Sequence, residues 1–201
     1  MLLHVAGQMI AKTDELTHAD QATGDGDHGI AMARGFEAVR DLLGSHSYQD
    51  LGSLLKAVGM TLVSQAGGAS GAVFGTLFVG GSRNLADKST FDAGSLASFL
   101  GDGLQAVQER GKARPGDKTM VDALEPAAQC AKEMAADPLE EAIVAVAAAA
   151  CRGEEAARAL VAHVGKAKTL GDRSRNHPDP GAISVTIILQ AMAEFIVNAY
   201  R

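Results

Sequence analysis

Three carboxylates and three glycines are interleaved in residues 19–35, A-D-Q-A-T-G-D-G-D-H-G-I-A-M-A-R-G, and His28 directly follows the last acid. Asp20, Asp25 and Asp27 stand within eight residues with no basic residue between them, and like charges so close repel unless a cation or water separates them. Turns favour Asp and Gly for backbone reasons, because glycine supplies positive φ and Asp bonds its own main chain. A plain solvated loop is therefore one reading of the stretch. A metal site is the other, since Mg²⁺ takes one or two carboxylates from a protein and completes its octahedron with water and substrate phosphate. Two further motif readings fail. G-D-G-D-H-G fits the G-x-G-x-x-G dinucleotide pattern, but that fingerprint needs a preceding strand, whereas helical spacing precedes it here and its two aspartates would repel a pyrophosphate. An EF-hand counted from Asp20 needs Gly sixth and Glu twelfth, and those positions are Asp25 and Ala31.

Three more stretches carry chemistry. G-G-A-S-G-A-V-F-G at residues 67–75 opens a helical pattern, and the reading places Ser70 at its N-cap. Exposed backbone N–H groups at such a helix start make an anion site, although a tight helix-helix turn with small residues reads equally well. R-G-K-A-R-P-G-D-K-T at residues 110–119 and G-K-A-K-T-L-G-D-R-S-R-N-H-P-D-P at residues 165–180 are basic loops in a chain whose formal net charge is -6.

The elements that must position these stretches are helical. Apolar spacing of i, i+3, i+4, i+7 type predicts a first helix from Met1 to near Thr17, a second closed by Gly44, a third closed at Gly67 and Gly68, and a fourth running on from there. A fifth begins at Ala93, a sixth spans residues 120–136, a seventh spans residues 139–164 broken only by Gly153, and an eighth spans residues 183–200. No sustained strand pattern occurs. Hydrophobic residues make up 47% of the 201 and aromatics only 4%, so the core must be built from Ala, Leu, Val and Ile, which favours closely packed helices in one domain over residues 1–201. In an up-and-down array alternate connections lie at the same end. The connections after helices one, three, five and seven hold every unusual motif, so all four should meet at one rim.

The acidic balance and the absence of a Lys/Arg run argue against nucleic acid or an anionic membrane surface as partner. The N-terminus shows no basic n-region or cleavage signature, and no apolar run is expected to approach a membrane span, which points to the cytoplasm. Cys130 and Cys151 read as reduced core thiols.

The motifs G-D-G-D-H-G, G-G-A-S-G, P-G-D-K-T-M-V-D-A-L-E-P and H-P-D-P-G-A, in this order over nearly the whole chain, resemble those of the nucleotide-binding subunit of the dihydroxyacetone kinase family, phosphotransferase-system type. The resemblance implies a closed barrel of about eight antiparallel helices with ADP or ATP at one rim. It implies that Asp20, Asp25 and Asp27 hold two Mg²⁺ ions bridging the nucleotide phosphates, and that His28, Gly29, Ile30 and Ala31, with Ala69 and Ser70, contact phosphate. Gly111 and Met120 would line the adenine pocket with Thr119 beside them, and Asp179, Pro180 and Gly181 would close over the nucleotide. Two positions depart from the family pattern. Lys166 stands where Arg is usual, so a planar fork becomes a point charge, and Ala31 stands where Asn is common.

No Walker A sequence occurs, and no stretch reads as a sugar pocket or a certain catalytic residue. By the resemblance the ketose is held covalently through a histidine of a separate subunit, and this chain is the metal-nucleotide half of a kinase whose chemistry is mostly positioning and charge neutralisation. A phosphohistidine-carrying phosphotransferase-system subunit is a further implied partner. Two alternatives stand beside this: a nucleotide-binding regulatory module without activity, and a kinase half serving another acceptor, such as a four-carbon ketose or a fatty acid on a carrier protein.

Overall fold

Short side chains let helix axes approach closely, and the chain uses this throughout. In the computed structural model, which describes residues 1–199, the helices are α1 (Leu2–Ala11), α2 (Thr13–Thr23), α3 (His28–Ser45), α4 (Leu51–Gln65), α5 (Gly68–Gly81), α6 (Ala93–Gly111), α7 (Met120–Glu133), α8 (Leu139–Ala157) and α9 (Pro180–Ala199), with an irregular 3-10 segment, Lys166–Ser174, before the last. The described residues contain no strand, in keeping with the all-α expectation. From α3 onward each helix packs on the next in sequence, α1 packs on α3, and α9 returns to α1, so the contacts close a ring. The α4 and α5 helices run in opposite directions. Gly59 of α4 faces Gly75 and Val79 of α5, while Gly71, nearer the start of α5, faces Leu62 and Ala66.

The eight expected helices are present as α1 and α3 to α9, and the ninth arises because the first expected helix is two. The chain breaks at Lys12, where Thr13 Oγ1 turns back to the Ile10 carbonyl at 2.6 Å, and α2 then runs past Thr17 to Thr23. Asp20 therefore sits on a helix, and the true acidic loop is residues 24–27. α8 ends at Ala157 rather than Val164, because Lys118 Nζ takes the Ala157 and Arg158 carbonyls at 2.8 and 3.0 Å. Gly153 does not break α8; its missing side chain lets α7 approach, for a Cβ there would meet the Asp122 carbonyl and Pro126. α9 starts at Pro180 rather than Ile183, capped by Asp179, whose Oδ2 accepts from the Ala182 N–H at 2.8 Å. The expected end of that helix at Tyr200 lies outside the described residues.

Three other expectations are corrected. Gly67, with φ +75°, is the N-cap of α5, which puts Ser70 inside its first turn. Cys151 is exposed and Cys130 partly so, because each lies on an outer part of its helix, not in the core. The segment Pro180–Ala199 is long and apolar enough to cross a membrane by length and composition, against the expectation that no run would be. Its apolarity has another use here, since α9 packs on α1, α7 and α8 and buries Ile183, Val185, Ile188 and Leu189.

The close helix approaches yield a test. A Cβ at Gly59 would lie 2.7 Å from the Gly75 carbonyl and the Val79 side chain, so Gly59→Ala is expected to lower the unfolding free energy by about 1–3 kcal/mol. Gly7 in α1 has nothing within 4 Å, and Gly7→Ala is expected to raise it by about 0.5–1 kcal/mol. Urea denaturation of the two variants reads both signs.

Candidate functional site

The last turn of α2 carries the first acid. Asp20 is buried, and its Oδ2 accepts the backbone N–H of His28 at 3.1 Å, which fastens the end of α2 to the start of α3. Gly24 permits this tight return, since a Cβ there would run into Asp20 Oδ1. Asp25 and Asp27 lie on the short loop between the helices, both mostly exposed. Carboxylate oxygens of the three residues come within 4.8 Å of one another. The trio offers hard oxygen donors on a buried-to-exposed gradient, with one acid held by backbone and two free to move, which fits Mg²⁺ with water or phosphate completing its shell.

Lys166 already answers this charge. Its Nζ lies 2.5 Å from Asp25 Oδ2 and 3.6 Å from Asp27 Oδ2, although 141 residues separate Lys166 from Asp25. The ammonium hydrogen bond holds the Asp25 carboxyl below the usual carboxylate range, and Asp25 in turn raises the Lys166 ammonium.

The ring of His28 is buried between two hydroxyls. Nδ1 is 2.8 Å from Ser70 Oγ and Nε2 is 2.8 Å from Ser184 Oγ. Burial pushes its pKa down to about 4, against the pull of Asp20 and Asp27, so the imidazole is neutral at neutral pH. Ser70 lies in the first turn of α5 behind Gly67 and Gly68, both at positive φ. Arg34 shapes the same turn: Nε donates to the Gln65 carbonyl at 2.8 Å and Nη2 to the Ala66 carbonyl, covering the end of α4.

On the far side, Thr119 and Asp122 form a capping box at the start of α7, the arrangement S/T-x-x-E/Q satisfies elsewhere with a longer acid. Asp122 Oδ1 also accepts from the Gly116 N–H at 2.6 Å. Lys118, at φ +60° and 2% exposed, places its ammonium on the last carbonyls of α8, where the helix dipole favours a cation. Burial lowers its pKa. His163 N–H donates to the Asp117 carbonyl at 3.2 Å and Arg175 Nη1 to the Ala159 carbonyl at 3.0 Å, so both basic loops are tied to the stretch 159–163 that follows α8.

All four loops border one cleft of about 230 Å³. Of the residues singled out from sequence, Asp20, Asp27, His28, Ala69, Ser70, Gly111, Thr119, Met120, Lys166, Asp179, Pro180 and Gly181 line it. Asp25 stands at the mouth beside Lys166. Gly29, Ile30 and Ala31 do not line the cleft. Gly29 is packed against Thr13 and Thr17, Ala31 is buried with its N–H on the Asp27 carbonyl, and the Ile30 side chain is 59% exposed beside the acids. Sequence reasoning missed Arg34, Lys118 and Ser184. Arg34 and Ser184 look like ordinary helix residues, and only the oddity of a lysine inside P-G-D-K-T could have drawn attention to Lys118. A larger apolar cavity of about 360 Å³, bordered by Leu43, Tyr48, Leu51 and Phe91, lies at the opposite end of the ring, under connections that read as ordinary.

A ring of helices bears an acid trio, a glycine-opened helix start and two basic loops on one rim of an all-α domain. Residues 22–194 match the DAK2 domain, and the chain belongs to that family. It is 39% identical over 185 residues to the PEP-dependent dihydroxyacetone kinase, ADP-binding subunit DhaL, of Escherichia coli K12, covering 90% of this chain and 88% of that one. It is 38% identical over 185 residues to the ADP-binding subunit DhaL of PEP-dependent dihydroxyacetone kinase 1 of Listeria innocua, covering 91% and 87%. Its fold is similar to that of the dihydroxyacetone kinase of C. freundii, in the native form (TM-score 0.76) and in complex with AMP-PNP and Mg²⁺ (TM-score 0.73), each at 24% identity over 96% of this chain and 33% of that one. The chain thus spans about a third of those solved chains.

Two outcomes follow from the charges at the rim. Lys166 competes with any cation for Asp25 and Asp27, so Lys166→Met is expected to tighten nucleotide-free Mn²⁺ binding about fivefold, read by electron paramagnetic resonance of free Mn²⁺; an unchanged affinity would show that the ammonium does not occupy the metal's place. Asp179 is only partly buried as a residue, but its carboxyl turns inward, and desolvation pushes its pKa from 3.8 up to about 7 against the Ala182 N–H. The folded chain therefore holds this proton more tightly than the unfolded chain, and the associated stability is lost as pH rises from about 4 to about 7. Asp179→Asn is expected to flatten that part of the stability profile, measured by urea unfolding at successive pH values.

Proposed function

We propose that this chain is the ADP/ATP- and Mg²⁺-binding subunit of a dihydroxyacetone or related ketose kinase, and that it passes a phosphoryl group to a ketose held covalently on a partner subunit. The observation that carries this reading is the meeting, at one cleft, of an acid trio, two helix starts and two basic loops that are far apart in sequence. An acid trio beside basic loops suits a ligand that is itself anionic and arrives with cations. The relatives, ADP-binding subunits of PEP-dependent dihydroxyacetone kinases, support the same ligand.

In this reading Asp20, Asp25 and Asp27 hold two Mg²⁺ ions, whose chemistry is to neutralise the charge that builds on the phosphates during transfer. The backbone at the start of α5 and the Ser70 hydroxyl would take phosphate oxygens, and Lys166, beside Asp25 and Asp27, would offer its ammonium to the phosphates. Met120 and Gly111 flank the base. Asp179, Pro180 and Gly181 border the opposite side, with Gly181 small enough to sit against Met120, where a Cβ would come within 3.3 Å. These groups orient and neutralise; none is a base for the acceptor hydroxyl. His28 is neutral and committed on both ring nitrogens, which fits a subunit whose acceptor chemistry is supplied by the partner. A phosphohistidine-carrying phosphotransferase-system protein is the proposed donor that recharges bound ADP.

Binding only to the folded state, ADP with Mg²⁺ at about a hundred times its dissociation constant is expected to stabilise the chain by roughly 2.7 kcal/mol, and ADP without Mg²⁺ far less. A thermal midpoint unmoved by ADP and Mg²⁺ would overturn the nucleotide assignment. The isolated chain is expected to leave dihydroxyacetone unphosphorylated until the ketose-binding subunit is added. Transfer by the chain alone would overturn the division of labour, and nucleotide binding with no transfer in the presence of that subunit would favour the regulatory module.

A further inference from the structure

Ser184 belongs to no motif that reads as nucleotide-binding, yet it is fully buried on α9 with its Oγ 2.8 Å from His28 Nε2. The opposite ring nitrogen meets Ser70 Oγ at the same distance. Three side chains from α9, α3 and α5 thus form one line from the core to the cleft. With one proton on the ring, two arrangements satisfy the line. In the first, Ser184 donates to Nε2, Nδ1–H donates to Ser70 Oγ, and the Ser70 hydroxyl is left free to donate into the cleft. In the second, Ser70 donates to Nδ1, Nε2–H donates to Ser184 Oγ, and Ser70 shows the cleft only lone pairs. Proton number is the same in both; the ring tautomer differs.

An anion tolerates only the first. A phosphate oxygen is an acceptor, so it needs Ser70 as donor, and that requires a donor behind Nε2. We propose that Ser184 is a positioning residue for nucleotide phosphate: through the His28 ring it holds the Nδ1–H tautomer and so aims the Ser70 hydroxyl into the cleft. The inference rests on the nucleotide reading above. Without the Ser184 hydroxyl nothing donates to Nε2, so the Nδ1–H form loses the partner that holds it, and the ring is free to take the Nε2–H form, in which Ser70 gives its proton to Nδ1 and presents lone pairs to the phosphate. The place of Ser184 in the first turns of α9, three residues after Gly181, also makes the start of that helix and the phosphate end of the cleft one connected unit.

The test uses the full chain labelled with [¹⁵N]histidine, two-bond ¹H–¹⁵N correlations to read the His28 tautomer, and calorimetry with ADP and Mg²⁺. The wild-type complex is expected to show Nδ1–H. Ser184→Ala is expected to lose the fixed Nδ1–H signature and to bind ADP with Mg²⁺ about tenfold more weakly, while Ser184→Thr, which keeps the hydroxyl, stays Nδ1–H and within about twofold. In a Ser70→Ala background, Ser184→Ala is expected to cost less than about twofold more, because the residue it acts through is gone. Additive losses in that double variant would assign Ser184 a merely structural role and overturn the proposal. So would an Nε2–H ring in the wild-type complex, a measurement that needs no variant to fold. Failure of the wild-type chain to bind ADP with Mg²⁺ would instead overturn the nucleotide reading, and the relay with it; binding with the wrong tautomer overturns the relay alone.

Discussion

Three carboxylates with oxygens within 4.8 Å of one another repel in any solvent, and a fold can hold them together only by delivering positive charge or hydrogen-bond donors to the same point. The rim of this protein is built around that demand. Asp20 is satisfied locally, by the His28 N–H across the return from α2 to α3. Asp25 and Asp27 are satisfied from far away, by Lys166 on the segment that precedes α9. Closure of the helical ring brings that segment home, because α9 lies against both α1 and α8. The electrostatics of the acid loop and the closure of the ring are one problem with one solution.

Closure in turn depends on small residues. Gly59 and Gly75 at the α4–α5 contact, and Gly80, Gly81 and Gly103 at the α5–α6 contact, leave no room for a Cβ. Helices that approach this closely form a stiff wall, and the loops they carry at the rim need little further bracing. What bracing exists is placed on exposed helix ends. Arg34 covers the last carbonyls of α4 and Lys118 those of α8, each opening the way for a turn that borders the cleft. A cation on terminal carbonyls is favourable in its own right, so these contacts stabilise the helices and shape the site together.

The cleft combines charged and uncharged groups. Asp25 and Asp27 are exposed acids suited to cations, while a neutral histidine between two serines and a carboxyl that burial turns toward its protonated form are buried beside them. Groups kept uncharged beside an ionic site offer directional hydrogen bonds without adding to its field. That combination suits recognition of a charged group whose neutralisation is left to ions.

Much of this was legible in the chain itself. Helical spacing, the 4% aromatic content and the alternation of odd and ordinary connections were enough for an all-α array with four motifs at one rim, because periodicity and loop length are local properties. Types and spacing likewise singled out Asp20, Asp25 and Asp27 as candidate metal donors, and the structure brings their oxygens together. Element ends were less legible, since α8 stops where Lys118 from another loop takes its carbonyls and the first helix breaks at Lys12, where Thr13 turns back on Ile10. The apolar run of α9 could not be told from a membrane span until its neighbours were in place. Tertiary structure alone decided that Lys166 meets Asp25, that Ile30 faces solvent while Gly29 is packed away, and that Ser184, His28 and Ser70 share a line, because each pairing joins residues whose separation in sequence carries no signal of their distance in space.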